Sequence, residues 1–309
     1  MPTQDRREGT DRELLLLLTA RRTGVLDALT TSTGTAGGVA RETGVEERAA
    51  RLVCEALDER GFLRRVGGEY QPTNRLLGFL AKTDIRSIGR RPHELDALEA
   101  WLALPDTMRT GEAPARPPDW TANALGSRAA RDEAAVRAAV TAAVHRAPRA
   151  ERVLALADGP GRHAVEFARR GYDVTLLDAP DVVDAVAPAL EHEAVTLVAG
   201  DPLAGDYPDA GLVFAEGLLT RYDGEHLERV FAATRAALPV GGAAVFVGAV
   251  RGETPGATLR ALDAYATRAE GRAHAAGDLT DRLADAGFDA EVGEVPGLAE
   301  RAVAGRAVD

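Results

Sequence analysis

Only one residue in 309 is cysteine, Cys54, so no disulfide can form within the chain, and a reducing, cytoplasmic setting is expected. No apolar run approaches the length that crosses a bilayer, and no membrane partner is expected. The run Leu14 to Leu18 follows the mixed-charge segment Asp5 to Glu13, lacks a cleavage pattern and is too short for a secretory signal; a buried helix is expected there. Lysine is almost missing: of 37 basic residues only Lys82 is lysine, the rest being arginine. Acidic residues outnumber basic ones, 48 to 37, and the net charge of −11 argues against a general nucleic-acid binder. No internal repeat at the spacing of solenoids is present, and no metal-ligand set is expected. What is present, 45% hydrophobic residues, is enough for real cores.

The acidic, alanine-rich, lysine-poor composition resembles that of proteins from salt-loving archaea, where acidity serves solubility rather than a ligand. From Glu13 to Leu29 the pattern predicts two short helices separated at Gly24. The stretch "GGVARETGVEERAARLVCEALDERGFLRR" predicts a helix, a turn at Thr43 and Gly44, and a second helix with Ala49, Leu52, Val53, Ala56 and Leu57 on one face. Phe62, Leu63, Val66, the turn at Gly67 and Gly68, and Tyr70 then predict a hairpin, completing a winged helix. Such a unit either reads DNA or serves packing and dimerisation. The second helix mixes Glu46, Glu47, Glu55, Asp58 and Glu59 with Arg48, Arg51 and Arg60, a poor surface for phosphates, which favours packing. A helix over Arg90 to Thr110 carries Trp101, the proline-rich "GEAPARPPDW" reads as a connector with Trp120 in its loop, and a further helix covers Arg131 to His145. Both tryptophans read as packing residues, with Trp120 alternatively capping a substrate pocket.

After Arg152 strands and helices alternate, which predicts an α/β fold with a parallel sheet. The segment "ERVLALADGPGRHAVEFARRGYDVTLLDAPDVV" runs strand, glycine turn, helix, strand and acid. In such folds glycines let the backbone approach a ligand beyond the strand ends, and an acid about twenty residues on accepts ribose hydroxyls. Gly159 and Gly161 fill the first role and Asp178 the second. NAD and S-adenosylmethionine share this adenosine end. The third glycine of a dinucleotide site is missing, and "LVAGDPL" places Gly200 and Asp201 after the third strand, where an acid meets an adenine amino group or, alternatively, caps a turn.

Over most of its length the chain resembles the plant-type small-molecule O-methyltransferases and their bacterial and archaeal relatives. The likeness rests on "GVLDALT", "GGVARETGVEERAARLVCEALDERGFL", "LPDTMRTGE", "GPGRHAVEFARRGYDVTLLDAPDVV", "VAGDPL" and "RYDGEHLERVFAATRAALPVGGAAVFV". It implies a class I methyltransferase (Rossmann-like) sheet, a winged-helix dimerisation domain over residues 1–85, a helical connector over 86–148 and a catalytic domain over 149–309. It also implies S-adenosylmethionine as cofactor, a small-molecule acceptor and a homodimer, with Asp158, Gly159, Gly161, Asp178, Gly200, Asp201 and Glu216 around the cofactor.

The chain departs from that family where chemistry is carried. Relatives have an acid at Ala155 and glycines at Ala157 and Asp158. Alanine lacks glycine's freedom at positive φ, whereas aspartate tolerates the left-handed region better, so a shifted loop is expected. Asp158 either reaches the amino group of the ligand's methionine end or fills the pocket. The general-base histidine of relatives is replaced by Thr220, which cannot accept a proton at neutral pH. His226 in "GEHLERVF" reads as a helix-face residue, and His274 in "GRAHAAGD" as a surface-loop residue and the remaining substitute base. The positions of the relatives' helper acids hold Gly248, Ala249, Ala273 and His274, and Glu216 stands where relatives place a lysine. Two functions follow: methyl transfer from S-adenosylmethionine to a small acceptor by positioning, or an inactive homodimer that senses the cofactor or binds another partner.

Overall fold

The computed structural model describes residues 5–80, 84–268 and 271–309; Lys82 lies outside the described residues. The chain divides into two compact units, one ending at Asp96 and the other beginning at Ala97.

The first unit is mostly helical. Helices α1 (Asp5–Arg22) and α2 (Val25–Thr31) part at Gly24, as the turn signal predicts. Helices α3 (Ala36–Thr43) and α4 (Glu47–Glu59) follow, then the antiparallel hairpin β1 (Leu63–Val66) and β2 (Glu69–Pro72). Glu46 starts α4 by accepting the Arg48 and Ala49 amides. The buried face of α4 is Ala50, Cys54 and Leu57, whereas Leu52 is 57% exposed and Ala49 is exposed. The expected face is therefore rotated: Cys54 behaves as a small apolar residue and draws the helix round. The short helices α5 (Asn74–Leu80) and α6 (Ile85–Ile88), unforeseen in the pattern, lead to α7 (Arg91–Thr110). Glu13 is buried on α1, where its carboxylate meets Arg75 at 2.8 Å and Arg91 at 3.4 Å.

In the second unit α8 (Trp120–Ala129) and α9 (Glu133–Arg146) precede β3 (Arg152–Leu156), α10 (Arg162–Arg169), β4 (Asp173–Asp178), α11 (Pro180–Leu190) and β5 (Val195–Ala199). Then come β6 (Leu212–Glu216), α12 (Gly224–Ala237), β7 (Ala243–Gly248), α13 (Ala257–Arg268), α14 (Ala276–Asp285), β8 (Phe288–Glu294) and β9 (Arg301–Ala307). They form a seven-stranded sheet of order β5-β4-β3-β6-β7-β9-β8. Strands β3 to β7 are parallel, as expected, and β9 pairs antiparallel with both β7 and β8, which gives the parallel sheet an antiparallel edge. All residues of β6 and β7 are buried, the mark of a parallel sheet covered on both faces. Strand order reverses between β3 and β6, which opens a crevice at their carboxyl ends.

Trp120 lies at the start of α8 and not in a loop, with the Arg116 guanidinium over its ring, and Trp101 donates its indole N–H to Asp263. No described helix is long and apolar enough to cross a membrane.

The turn from β3 into α10 places a residue other than glycine in the left-handed region. Ala157 has φ +52°, the one positive φ among the described residues other than glycine, while Asp158 avoids that region. The left-handed conformation has thus fallen to alanine and not to aspartate. It costs about 1–2 kcal/mol for a residue with a Cβ. Ala157→Gly removes that cost but loses a buried methyl and some unfolded-state restriction. The balance is a gain of about 0.5–1 kcal/mol, a rise in Tm of roughly 1–4 °C in a domain of this size. A calorimetric scan that shows a lower Tm for Ala157→Gly would refute the strain assignment.

Candidate functional site

The residues singled out in the sequence gather at the carboxyl ends of four neighbouring strands. Gly159 and Gly161 lie in the turn after β3, Asp178 ends β4, Gly200 and Asp201 follow β5, and Glu216 ends β6. The strand tips are tied together. Asp178, 6% exposed, accepts the Gly159 amide at 2.9 Å on one carboxylate oxygen and the Ala179 amide at 2.9 Å on the other. The Gly200 amide donates to the Asp178 carbonyl. Asp201 is exposed and accepts the Leu203 amide, so in this structure it caps a turn. Gly161, with φ +76°, admits no side chain, since a Cβ would lie 2.8 Å from Leu190 of α11.

Asp158 points beneath this loop. Its Oδ2 accepts the amides of His163 and Ala164, both at 3.0 Å, at the start of α10, where a carboxylate suits the helix dipole. Its Oδ1 lies 2.6 Å from His163 Nδ1. The other imidazole nitrogen, Nε2, lies 3.3 Å from Glu216 Oε2, and Glu216 Oε1 lies 2.6 Å from an Arg131 Nη2. Burial works against ionisation of Asp158, yet the His163 charge and hydrogen bond, the Ala164 amide and the Arg128 charge hold its carboxyl below the ordinary range. For Glu216 burial prevails and the carboxyl is pushed up, despite His163 and Arg131. The expected loop filler is thus one end of a chain of four ionisable side chains, Asp158, His163, Glu216 and Arg131, of which the first three are buried.

Sequence reasoning missed His163, Arg128 and Arg131. The His163 signal was an aspartate at a glycine position with a histidine five residues on, the spacing that spans the turn. The arginines were missed because α8 was read as connector. From α8, Arg128 donates to the Ala157 carbonyl at 2.8 Å, and a Cβ on Gly159 would come within 2.6 Å of its Nη1 and 3.2 Å of Leu125. Arg162 of α10 donates in return to the Ala129 carbonyl.

The two histidines considered as bases sit elsewhere. His226, in the first turn of α12, stacks on the Tyr222 ring and places Nδ1 2.8 Å from Asp223 Oδ1. The His226 amide is the first cause that holds Asp223 low, so this pair is a helix cap. His274 is 1% exposed, which corrects its reading as a surface-loop residue. Its Nε2 donates to the Tyr222 carbonyl at 3.0 Å and its Nδ1 lies 3.3 Å from Asp278. The segment is drawn inward because the His274 carbonyl accepts the Arg251 amide and Ala275 bridges to Arg251. Both histidines therefore hold the segment Tyr222–Asp223, just after the half-buried Thr220.

No curated protein matches the sequence. Solved structures with the same fold include PigF with SAH, at 18% identity and TM-score 0.68, with 99% of this chain and 100% of that chain covered. Human N-acetylserotonin methyltransferase in complex with SAM matches at 19% identity and TM-score 0.64, with 100% of both chains covered. The N,N-8-amino-8-demethyl-D-riboflavin dimethyltransferase from Streptomyces davawensis matches at 17% identity and TM-score 0.66, again over 100% of both chains. The family model for the O-methyltransferase domain matches residues 142–289, which run from α9 into β8 and contain the glycine loop and all four strand tips. The chain thus has the class I methyltransferase fold of these structures, and its residues 142–289 match the O-methyltransferase domain.

Proposed function

We propose that the protein is an S-adenosylmethionine-dependent methyltransferase for a small-molecule acceptor. The observation that carries this reading is the juxtaposition of Gly159, Gly161, Asp178 and Asp201 at adjacent strand tips. The residues fit the cofactor. Each oxygen of Asp178 accepts one amide and keeps a lone pair for a ribose hydroxyl, and the two amides fix its direction. Asp201, exposed after β5, suits an adenine amino group. Nearest to Gly159 stand the end of the flexible Arg128 side chain and Leu125, and the Arg128 guanidinium suits a carboxylate. When bound, the cofactor supplies an activated methyl on a sulfonium. The chain's part is to hold the acceptor in line, which itself supplies much of the acceleration. If Asp178 holds the ribose, Asp178→Ala loses about 1.5–3 kcal/mol and weakens S-adenosylmethionine binding at least about tenfold by calorimetry. Unchanged affinity in a folded variant would remove Asp178 from the site.

A second reading, a homodimer that binds the cofactor without transferring methyl groups, is favoured by Thr220 at the base position. The two separate in one experiment. A general base is worth about 10²- to 10⁴-fold, so in a working site Thr220→His raises the rate on phenols by such a factor. No gain in a variant that binds cofactor as the native protein does supports the second reading.

The homodimer belongs to both readings. Helices α3 and α4 with the β1–β2 hairpin are read as a winged helix used for packing, since α4 exposes Glu47, Arg48, Arg51, Glu55 and Glu59 together. Leu15 on α1 and Leu77 on α5 are 51% and 46% exposed, large apolar side chains suited to a second copy. A reducing, cytoplasmic setting suits Cys54, whose thiol burial pushes up to about 11. Light scattering is expected to give a dimer mass at all salt concentrations; a monomer mass throughout would defeat the dimer.

A further inference from the structure

We infer that His163 is a positioning residue of the glycine loop, which it fixes by a proton shared with Glu216 while it holds Asp158, so that the loop's hold on its ligand depends on that proton. The inference rests on the cofactor reading above for the ligand, but its structural half does not need a ligand.

The argument is one of donors and acceptors. Asp158 already accepts two amides on Oδ2, and its Oδ1 meets His163 Nδ1 at 2.6 Å, so Nδ1 carries a hydrogen and donates. Nε2 then lies 3.3 Å from Glu216 Oε2, within ion-pair distance, but makes no hydrogen bond as placed. If the imidazole is neutral, Nε2 offers only a lone pair, and an ionised Glu216 would set lone pair against lone pair in a buried site. One proton between Nε2 and Oε2, on either atom, turns that repulsion into an attraction at 3.3 Å. The groups that bear on the bridge come from several elements. Asp158 comes from the loop, Glu216 and the Phe214 ring from β6, and Arg128 and Arg131 from the end of α8 and beyond, with Glu300 on the far side of Arg131. His163 and Glu216 are 4% and 8% exposed at their side chains, so water does not replace the bridge.

The consequence reaches the loop through Asp158. That carboxylate is tied to the first amides of α10 and to His163, and the residues on either side of it are the strained Ala157 and Gly159. A broken bridge frees the imidazole and with it the anchor of Asp158. The sign follows from the two acids. Glu216 titrates above its ordinary range when folded, so its contribution is present below its unfolded value and is lost as pH rises through the folded one. Asp158 titrates below its ordinary range, so its contribution is lost as pH falls through that depressed value. Between the two the loop is firm; the alkaline limb belongs to Glu216.

Two measurements on the full-length protein test this. The first needs no ligand: hydrogen exchange at the amides of Gly159, His163 and Ala164 across pH, after correction for intrinsic rates. Native protection is expected to fall on the alkaline side. In Glu216→Gln, whose amide donates to Nε2 without a titrating proton while its oxygen still faces Arg131, that fall is expected to vanish. His163→Leu is expected to lose protection at least tenfold at every pH, and His163→Asn, which keeps a donor toward Asp158, to recover part of it. The second measurement is calorimetry with S-adenosylhomocysteine, in which native affinity is expected to follow the same alkaline limb and the Glu216→Gln profile to be flat. Parallel profiles for native protein and Glu216→Gln, or unchanged protection in His163→Leu, would overturn the inference. Absence of any binding by the native protein would strike the cofactor reading alone, and the exchange arm would still decide the role of His163.

Discussion

A carboxylate buried to 3% exposure persists only if its charge is matched, and the way Asp158 is matched organises the whole glycine loop. Two helix amides, an imidazole and a nearby guanidinium converge on it. To supply them α10 must begin where it does, His163 must face inward, and α8 must bring Arg128 within reach of the loop. With glycine in place of Asp158 the start of α10 would lack an internal anion. With Asp158 present the helix carries its own, and a ligand's negative group must find other donors. Among the groups over the loop, Arg128 is the one placed to supply them.

The same carboxylate helps to hold the loop in a course that alanine disfavours. Glycine adopts the left-handed region freely, and here alanine occupies it at a cost of about 1–2 kcal/mol. The cost is tolerated because the surroundings over-determine the turn: the Ala157 amide donates to the Leu177 carbonyl, its carbonyl accepts from Arg128, and Gly159 is held by Asp178. Strain placed between two anchored neighbours stays local. The parallel pairing of β3 with β4 and β6 then sets the spacing of the strand tips independently of the residue in the turn.

Most of the α/β unit was legible because its signals are local. Apolar strands of the right length, Gly161 before α10 and Asp178 after β4 each imply their element without knowledge of the rest. What was illegible depended on distant partners. The face of α4 turned on the burial of Cys54; α8 followed a proline-rich stretch and contains Gly126; the antiparallel return of β9 against β7 leaves no mark on a strand's own pattern. The acids at the site were found as acids, but their occupations were not. Asp158 lies under the loop, Asp201 caps a turn, and Glu216 is claimed by His163 and Arg131 from elements far apart in sequence. His274 shows the same limit in reverse, since its loop-like setting hides a buried bond to Tyr222 that only the fold creates.

The net charge of −11 describes the surface and misleads about the site. Around the glycine loop three buried acids, Asp158, Asp178 and Glu216, meet Arg128, Arg131 and His163, so acidic and basic side chains stand about one to one. The two kinds of charge also answer differently to salt. Exposed helix pairs such as Glu47–Arg51, Glu133–Arg137 and Glu225–Arg229 are screened and contribute little each. The buried set is shielded from mobile ions, so its strength changes little with ionic strength and depends instead on whether every member keeps its partner. The acidic surface can therefore vary with the solvent the protein meets, while the groups beneath the loop cannot be exchanged one at a time.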